Sequence, residues 1–226
     1  PIAMDRLRLY VEKMDDIERS AFCYIGDLYR LRVLNDAFMR TFISKLSRKY
    51  TGECEDVVSK LSNVNEDILN YAHQICFDSV KGKGKDYTKM DVETASSVYL
   101  TAMNIISVVK EYHDLIEVFF LSKMIPASHA YIPSMMRRSV VLSDTDSTCF
   151  STDDWMQWYF KDVYFSEETF AVCGAVAFIA TQAVAHILAI LSANINVERK
   201  KLYELAMKNE YVWTVHMPTN VAKHYA

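Results

Sequence analysis

Ser139-Val140-Val141-Leu142-Ser143-Asp144-Thr145-Asp146-Ser147-Thr148-Cys149-Phe150 is the stretch whose reading decides the fold. Val140 to Leu142 is a short β-branched and apolar run, Asp144-Thr145-Asp146 is a turn-like polar cluster, and Thr148 to Phe150 resumes strand character. The pattern predicts a β-hairpin. Two carboxylates separated by one residue at its tip point to one side of the sheet.

Working upstream, the chain reads as helix. Apolar residues recur at three and four from Asp5 to about Arg48 (Leu7, Tyr10, Met14, Ile17, then Phe22, Ile25, Leu28, Leu31, Leu34, Phe38, Phe42, Leu46), which predicts two amphipathic helices in series. Thr51-Gly52-Glu53 breaks the pattern. A further helix is expected from Glu55 through Phe77. Lys81-Gly82-Lys83-Gly84-Lys85 is a loop by composition and is assigned no role. Asp91 to Lys123 reads as one long helix with a broad apolar face, ended by Pro126 and Pro133.

Downstream of the hairpin, Asp153 and Asp154 suit a helix N-terminus, where acidic side chains meet the positive end of the helix dipole. Phe170 to Leu191 is nearly all apolar. Its length alone would span a bilayer. Gln182 and His186 inside it, and its many alanines, weigh towards a buried helix, and an apolar anchor over 170–191 is the rival. From Tyr211 the residues alternate, Pro218-Thr219-Asn220 turns the chain, and Val221 to Tyr225 begins a return strand.

Composition narrows the field of functions. The 226 residues carry 25 Lys and Arg against 29 Asp and Glu, a net charge of −4, with 51% hydrophobic residues. That balance argues against a free-standing basic nucleic-acid coat, though not against the acidic catalytic part of a nucleic-acid enzyme. Five glycines and four prolines are too few for a glycine-rich barrel. Five scattered cysteines with no Cys-x-x-Cys pair favour a reducing compartment. No basic stretch precedes an apolar one at the start, as a signal peptide requires. The abrupt beginning at Pro1-Ile2-Ala3 and end at Tyr225-Ala226 are those expected of a fragment.

Asp144-Thr145-Asp146-Ser147 is compatible with a plain polar turn or with a cation site, because two close carboxylates favour a divalent ion between them. Phosphoryl transfer with two metals about 4 Å apart is the chemistry such a pair serves best. The six histidines show no metal-ligand spacing. No Gly-x-Ser-x-Gly elbow, phosphate-binding loop or dinucleotide turn occurs.

Leu142 to Ser147 resembles the Tyr-Gly-Asp-Thr-Asp-Ser turn in the palm of family B DNA polymerases, with Leu142 and Ser143 replacing the aromatic residue and the glycine. Leu205 to Tyr211 followed by Val221-Ala222-Lys223-His224-Tyr225-Ala226 is similar to the helix, strand and Lys-x-Tyr motif that contacts the primer-template duplex in that family. Both motifs occur in the family's order and spacing. Arg32-Val33-Leu34-Asn35-Asp36-Ala37-Phe38 is a partial echo of the fingers motif that binds the incoming triphosphate. Leu31 stands in place of its lysine and Met39 in place of its glycine. Asp5 to Val11 has the spacing of the family's third-carboxylate motif, but it reads as helix and is not assigned to it.

The resemblance implies an α+β fold, mostly helical, with a small antiparallel palm-type sheet carrying the Asp-Thr-Asp hairpin. It implies a helical fingers-like or insertion segment over 1–90, and a palm-like segment, incomplete at its C-terminus, over 91–226. It implies Asp144 and Asp146 as catalytic metal ligands for two Mg²⁺ ions, Lys223 and Tyr225 as DNA contacts, and Arg32 and Asn35 as nucleotide contacts. The implied partners are primer-template DNA, a dNTP and the remaining polymerase domains, including the third carboxylate and the thumb. No membrane is favoured. The long helical insertion implies a virus-like lineage, acting in the cytoplasm or nucleoid of a host cell, and a piece inactive on its own. The rival is a helical membrane-associated or scaffold protein.

Overall fold

In a computed structural model of the chain, the structure describes residues 9, 13, 32, 36–80, 86–113, 116, 139–143, 147–205, 207–209 and 212. Helix α1 (Asp36–Leu46) places Met39, Phe42, Ile43 and Leu46, three or four residues apart, along one buried face. Two helices occupy the span from Glu55 to Phe77, where the sequence reading expects one. They are α2 (Val57–Leu61) and α3 (Glu66–Ile75). The break has a local cause: the Asn65 side chain accepts from the backbone N–H groups of Asp67 and Ile68 and starts a new helix. A single turn, α4 (Phe77–Val80), follows.

Helix α5 runs over Val92–Glu111, capped by Asp91, whose carboxylate accepts from Thr94 N at 2.8 Å. The predicted helix continues to Lys123, but beyond 113 only residue 116 falls among the described residues. Its buried face also differs from a plain apolar stripe. Ser96, Ser97 and Thr101 are buried beside Val98, Ala102 and Ile105. They hold the extended backbone after α1. Ser97 Oγ donates to Tyr50 O at 2.8 Å, Tyr50 N donates to Thr101 Oγ1 at 3.1 Å, and Cys54 N donates to Ser96 Oγ at 3.0 Å. Ser96, Ser97 and Thr101 are themselves buried, and buried hydroxyls need partners; backbone groups of the chain after α1 supply them.

Strands β1 (Val140–Ser143) and β2 (Thr148–Phe150) form a two-stranded antiparallel sheet. A short helix, α6 (Asp153–Tyr159), leads to the long α7 (Glu167–Asn194), which starts at an Ser166 cap accepting from Thr169 N. The helix start expected at Asp153 is therefore where the sequence placed it. The protein is mostly helical with one small antiparallel sheet. The second hairpin expected from Tyr211 lies, Val212 apart, outside the described residues.

One buried cluster joins α1, α3, α5 and the N-terminal half of α7, so residues from both sides of position 90 share a core. Each large side chain fully buried there contributes roughly 1.5–3 kcal/mol. By length and composition α5 and α7 are both able to cross a bilayer; here both supply residues to this core.

Gly174 lets α3 and α7 come together. A Cβ at that position would lie 2.6 Å from Gln74 Nε2 and 2.9 Å from Tyr71 Cε2. At this crossing the Tyr71 hydroxyl donates to Ala171 O at 3.2 Å and Gln74 Nε2 donates to Phe170 O at 3.1 Å. The Tyr71 ring is buried and stacks on Phe178 at 5.1 Å, so it has little room to retreat. Gly174→Ala is expected to cost about 1–3 kcal/mol by overpacking. A lower urea midpoint at unchanged slope is the expected readout.

Candidate functional site

The β-hairpin is short and irregular. Val140 pairs with Phe150, Leu142 with Cys149 and Ser143 with Thr148, so Val141 is an extra residue bulged out of β1. The ladder closes at Ser143 and Thr148, whose hydroxyls are 3.1 Å apart. Of the residues between the strands, only Ser147 is among the described residues. Val140, Val141 and Leu142 are 57%, 52% and 43% exposed, so β1 stands outside the helical core.

The base of the strand pair runs straight into α6. Ser151 N donates to Ser139 O at 2.7 Å, Asp153 N donates to Ser151 Oγ at 3.2 Å, and α6 begins at once. Helix α6 is held on three sides. Met156 is buried in the core, and Thr152 Oγ1 lies 3.3 Å from Cys173 Sγ on α7. Burial pushes the Cys173 thiol above its usual range.

The third side faces two arginines. Arg32, only 4% exposed, donates from Nη1 to Asp154 O at 2.8 Å. Its guanidinium lies 4.9 Å from the Trp155 ring and 5.4 Å from the Trp158 ring. Arg40, on α1, stacks on Trp158 at 4.6 Å and donates to the carbonyls of Trp158 and Tyr159, the last of α6. A cation at a helix C-terminus satisfies carbonyls that have no partner in the helix and complements its dipole. Asp36 completes the arrangement, accepting from Arg40 Nε at 2.9 Å and Trp158 Nε1 at 2.6 Å. The hydrogen bond from Arg40, then that from Trp158, holds the Asp36 carboxyl below its usual range.

Among the expected site residues, the structure thus places Arg32, buried with its guanidinium on α6. Asp144, Asp146, Asn35, Lys223 and Tyr225 lie outside the described residues. The sequence reading did not single out Arg40, Asp36 or Trp158. Asp36 and Arg40 are readable as a helical i,i+4 pair, but their bonds to Trp158 and Tyr159 join residues 118 to 122 positions apart, for which no local pattern exists.

A protein-family model described as divergent family B DNA polymerase matches residues 1–226. The chain belongs to that family. The match covers 1–90 as well, where the motifs agree with the family only in order. No curated protein and no solved structure matches the chain. Membership of a DNA polymerase family implies DNA and other polymerase domains as partners. Family B polymerases generally use Mg²⁺; among the described residues no group of three or more His, Cys, Asp or Glu gathers to hold a metal.

Because the folded state holds Asp36 below its unfolded pKa, its contribution to stability is full above the unfolded value. It is lost as the pH falls through the folded one. The melting-temperature gap between the parent and Asp36→Asn should therefore be open at neutral pH and close from about pH 5 downward. Thermal melts at a series of pH values check it.

Proposed function

We propose that the chain carries the palm and part of the fingers of a template-directed DNA polymerase. The reaction is nucleotidyl transfer: the primer 3′-oxygen attacks the α-phosphorus of a dNTP, a new phosphodiester bond forms, and pyrophosphate leaves. One observation supports the reading above others. In a chain that matches a DNA polymerase family along its whole length, an antiparallel strand pair closes immediately before Asp144 and reopens immediately after Ser147.

Asp144 and Asp146 are the proposed ligands of Mg²⁺, which when bound supplies charge stabilisation and activation of the attacking hydroxyl. The third carboxylate and the thumb are proposed to come from the remaining polymerase domains. Lys223 would meet duplex phosphate and Tyr225 would pack beside it near the primer end. Asn35 is the proposed contact to the incoming nucleotide. Arg32, which the resemblance also implies as a nucleotide contact, is buried and donates to Asp154 O on α6.

The test is primer extension on a primed DNA template with Mg²⁺, using the polypeptide from the complete reading frame. The parent is expected to extend the primer. Asp144→Asn, which keeps the size and removes the charge, should abolish extension while the protein stays folded. A parent that extends nothing, or a variant that extends equally well, would overturn the polymerase reading. For DNA binding, Lys223→Ala should lower affinity across all sequences and reduce the slope of log K against log salt by about one.

A further inference from the structure

We propose, resting on the polymerase reading above, that Arg32 and Arg40 are positioning residues that set the catalytic hairpin through helix α6. The argument begins with what the hairpin lacks. A two-stranded hairpin is marginally stable in water on its own, and β1 exposes its apolar side chains rather than packing them on the helical core. On β2, Cys149 and Phe150 are half-buried, and the pair joins the body at Ser139, Ser151 and the first turn of α6.

The two arginines grip α6 at both ends. Arg32 donates to Asp154 O in the first turn, and Arg40 donates to Trp158 O and Tyr159 O in the last. Between them stand Trp155 and Trp158, edge to face at 5.7 Å, each covered by a guanidinium. Asp36 then fixes the Arg40 fork from behind and holds the Trp158 indole N–H, so neither group rotates freely. The planar fork can stack, donate to two carbonyls and pair with a carboxylate at once; an ammonium cannot. Two residues separate the end of β2 from α6, so a rotation of α6 is delivered almost undiminished to the strand that leaves Asp146.

Arg40, 39% exposed, is the residue to change, since its loss leaves the core filled. Arg40→Gln removes the fork, Arg40→Lys keeps the charge, and Trp158→Phe keeps a ring while removing the indole donor. Val98→Ala, a core change on α5, is the control, compared at matched loss of melting temperature. Millisecond-pulsed hydrogen exchange should show the amides of 140–143 and 148–150 exchanging about tenfold faster in Arg40→Gln, with Trp158→Phe in the same direction and Val98→Ala unchanged. Arg40→Lys should not restore protection. In primer extension, Arg40→Gln should need several-fold more Mg²⁺ for half-maximal rate, with the KM for dNTP within about twofold of the parent. Hairpin exchange at the parent rate in Arg40→Gln, or equal acceleration in Val98→Ala, would overturn the proposal. Should the parent extend no primer, the polymerase reading fails, and the exchange comparison alone decides whether the arginines hold the hairpin.

Discussion

The contact between the Arg40 guanidinium and the end of α6 meets several needs with one group. It fills hydrogen bonds that the last turn of a seven-residue helix leaves open, and it covers the face of Trp158. It also ties α1, the helix richest in fully buried large side chains, to the segment that follows the hairpin. The same helix is also held by Met156 in the core, by Trp155, Trp158 and Tyr159 packed against that core, and by the bonds of Asp36 and Arg32. A helix of seven residues is marginal in isolation, so its tertiary contacts, apolar and polar together, hold it.

The rest of the helical body gives that contact a firm footing. Tyr50 has both of its backbone groups satisfied by hydroxyls of α5, which replaces a strand partner for the extended chain behind α1. Lys45 and Glu111 pair at 2.5 Å where α1 and α5 end, and Asn104 Nδ2 donates to Lys45 O at 2.9 Å. On the other side, the bare backbone at Gly174 brings α7 against Tyr71 and Gln74. The polar groups in these seams have partners in neighbouring elements, and such seams specify one packing where apolar contact alone would allow several.

Much of this was legible in the sequence wherever the cause is local. The four-residue rhythm of Met39, Ile43 and Phe42, Leu46 marks α1, the Asp153-Asp154 pair marks the start of α6, and the β-branched run marks β1. The break between α2 and α3 was missed because Asn65 sits inside a pattern apolar enough to suggest continuation, and a single cap overrode it. The roles of Ser96, Ser97 and Thr101 were not legible, since nothing near them announces the backbone they satisfy. The bond from Arg32 to Asp154 was not legible, because a motif echo supplies a position and no partner 122 residues away.

That separation bears on the order of folding. The helix caps and the β1–β2 pairing join residues a few positions apart, and such contacts close early and at small cost in chain entropy. The bonds from Asp36, Arg32 and Arg40 to α6 span 118 to 122 residues and must wait until almost the whole intervening chain has been made. During synthesis α1 leaves the ribosome with its arginine fork in water and remains so while α2, α3 and α5 assemble around it. A two-stranded pair is marginal on its own, so its ladder gains a fixed base only once these long-range bonds close.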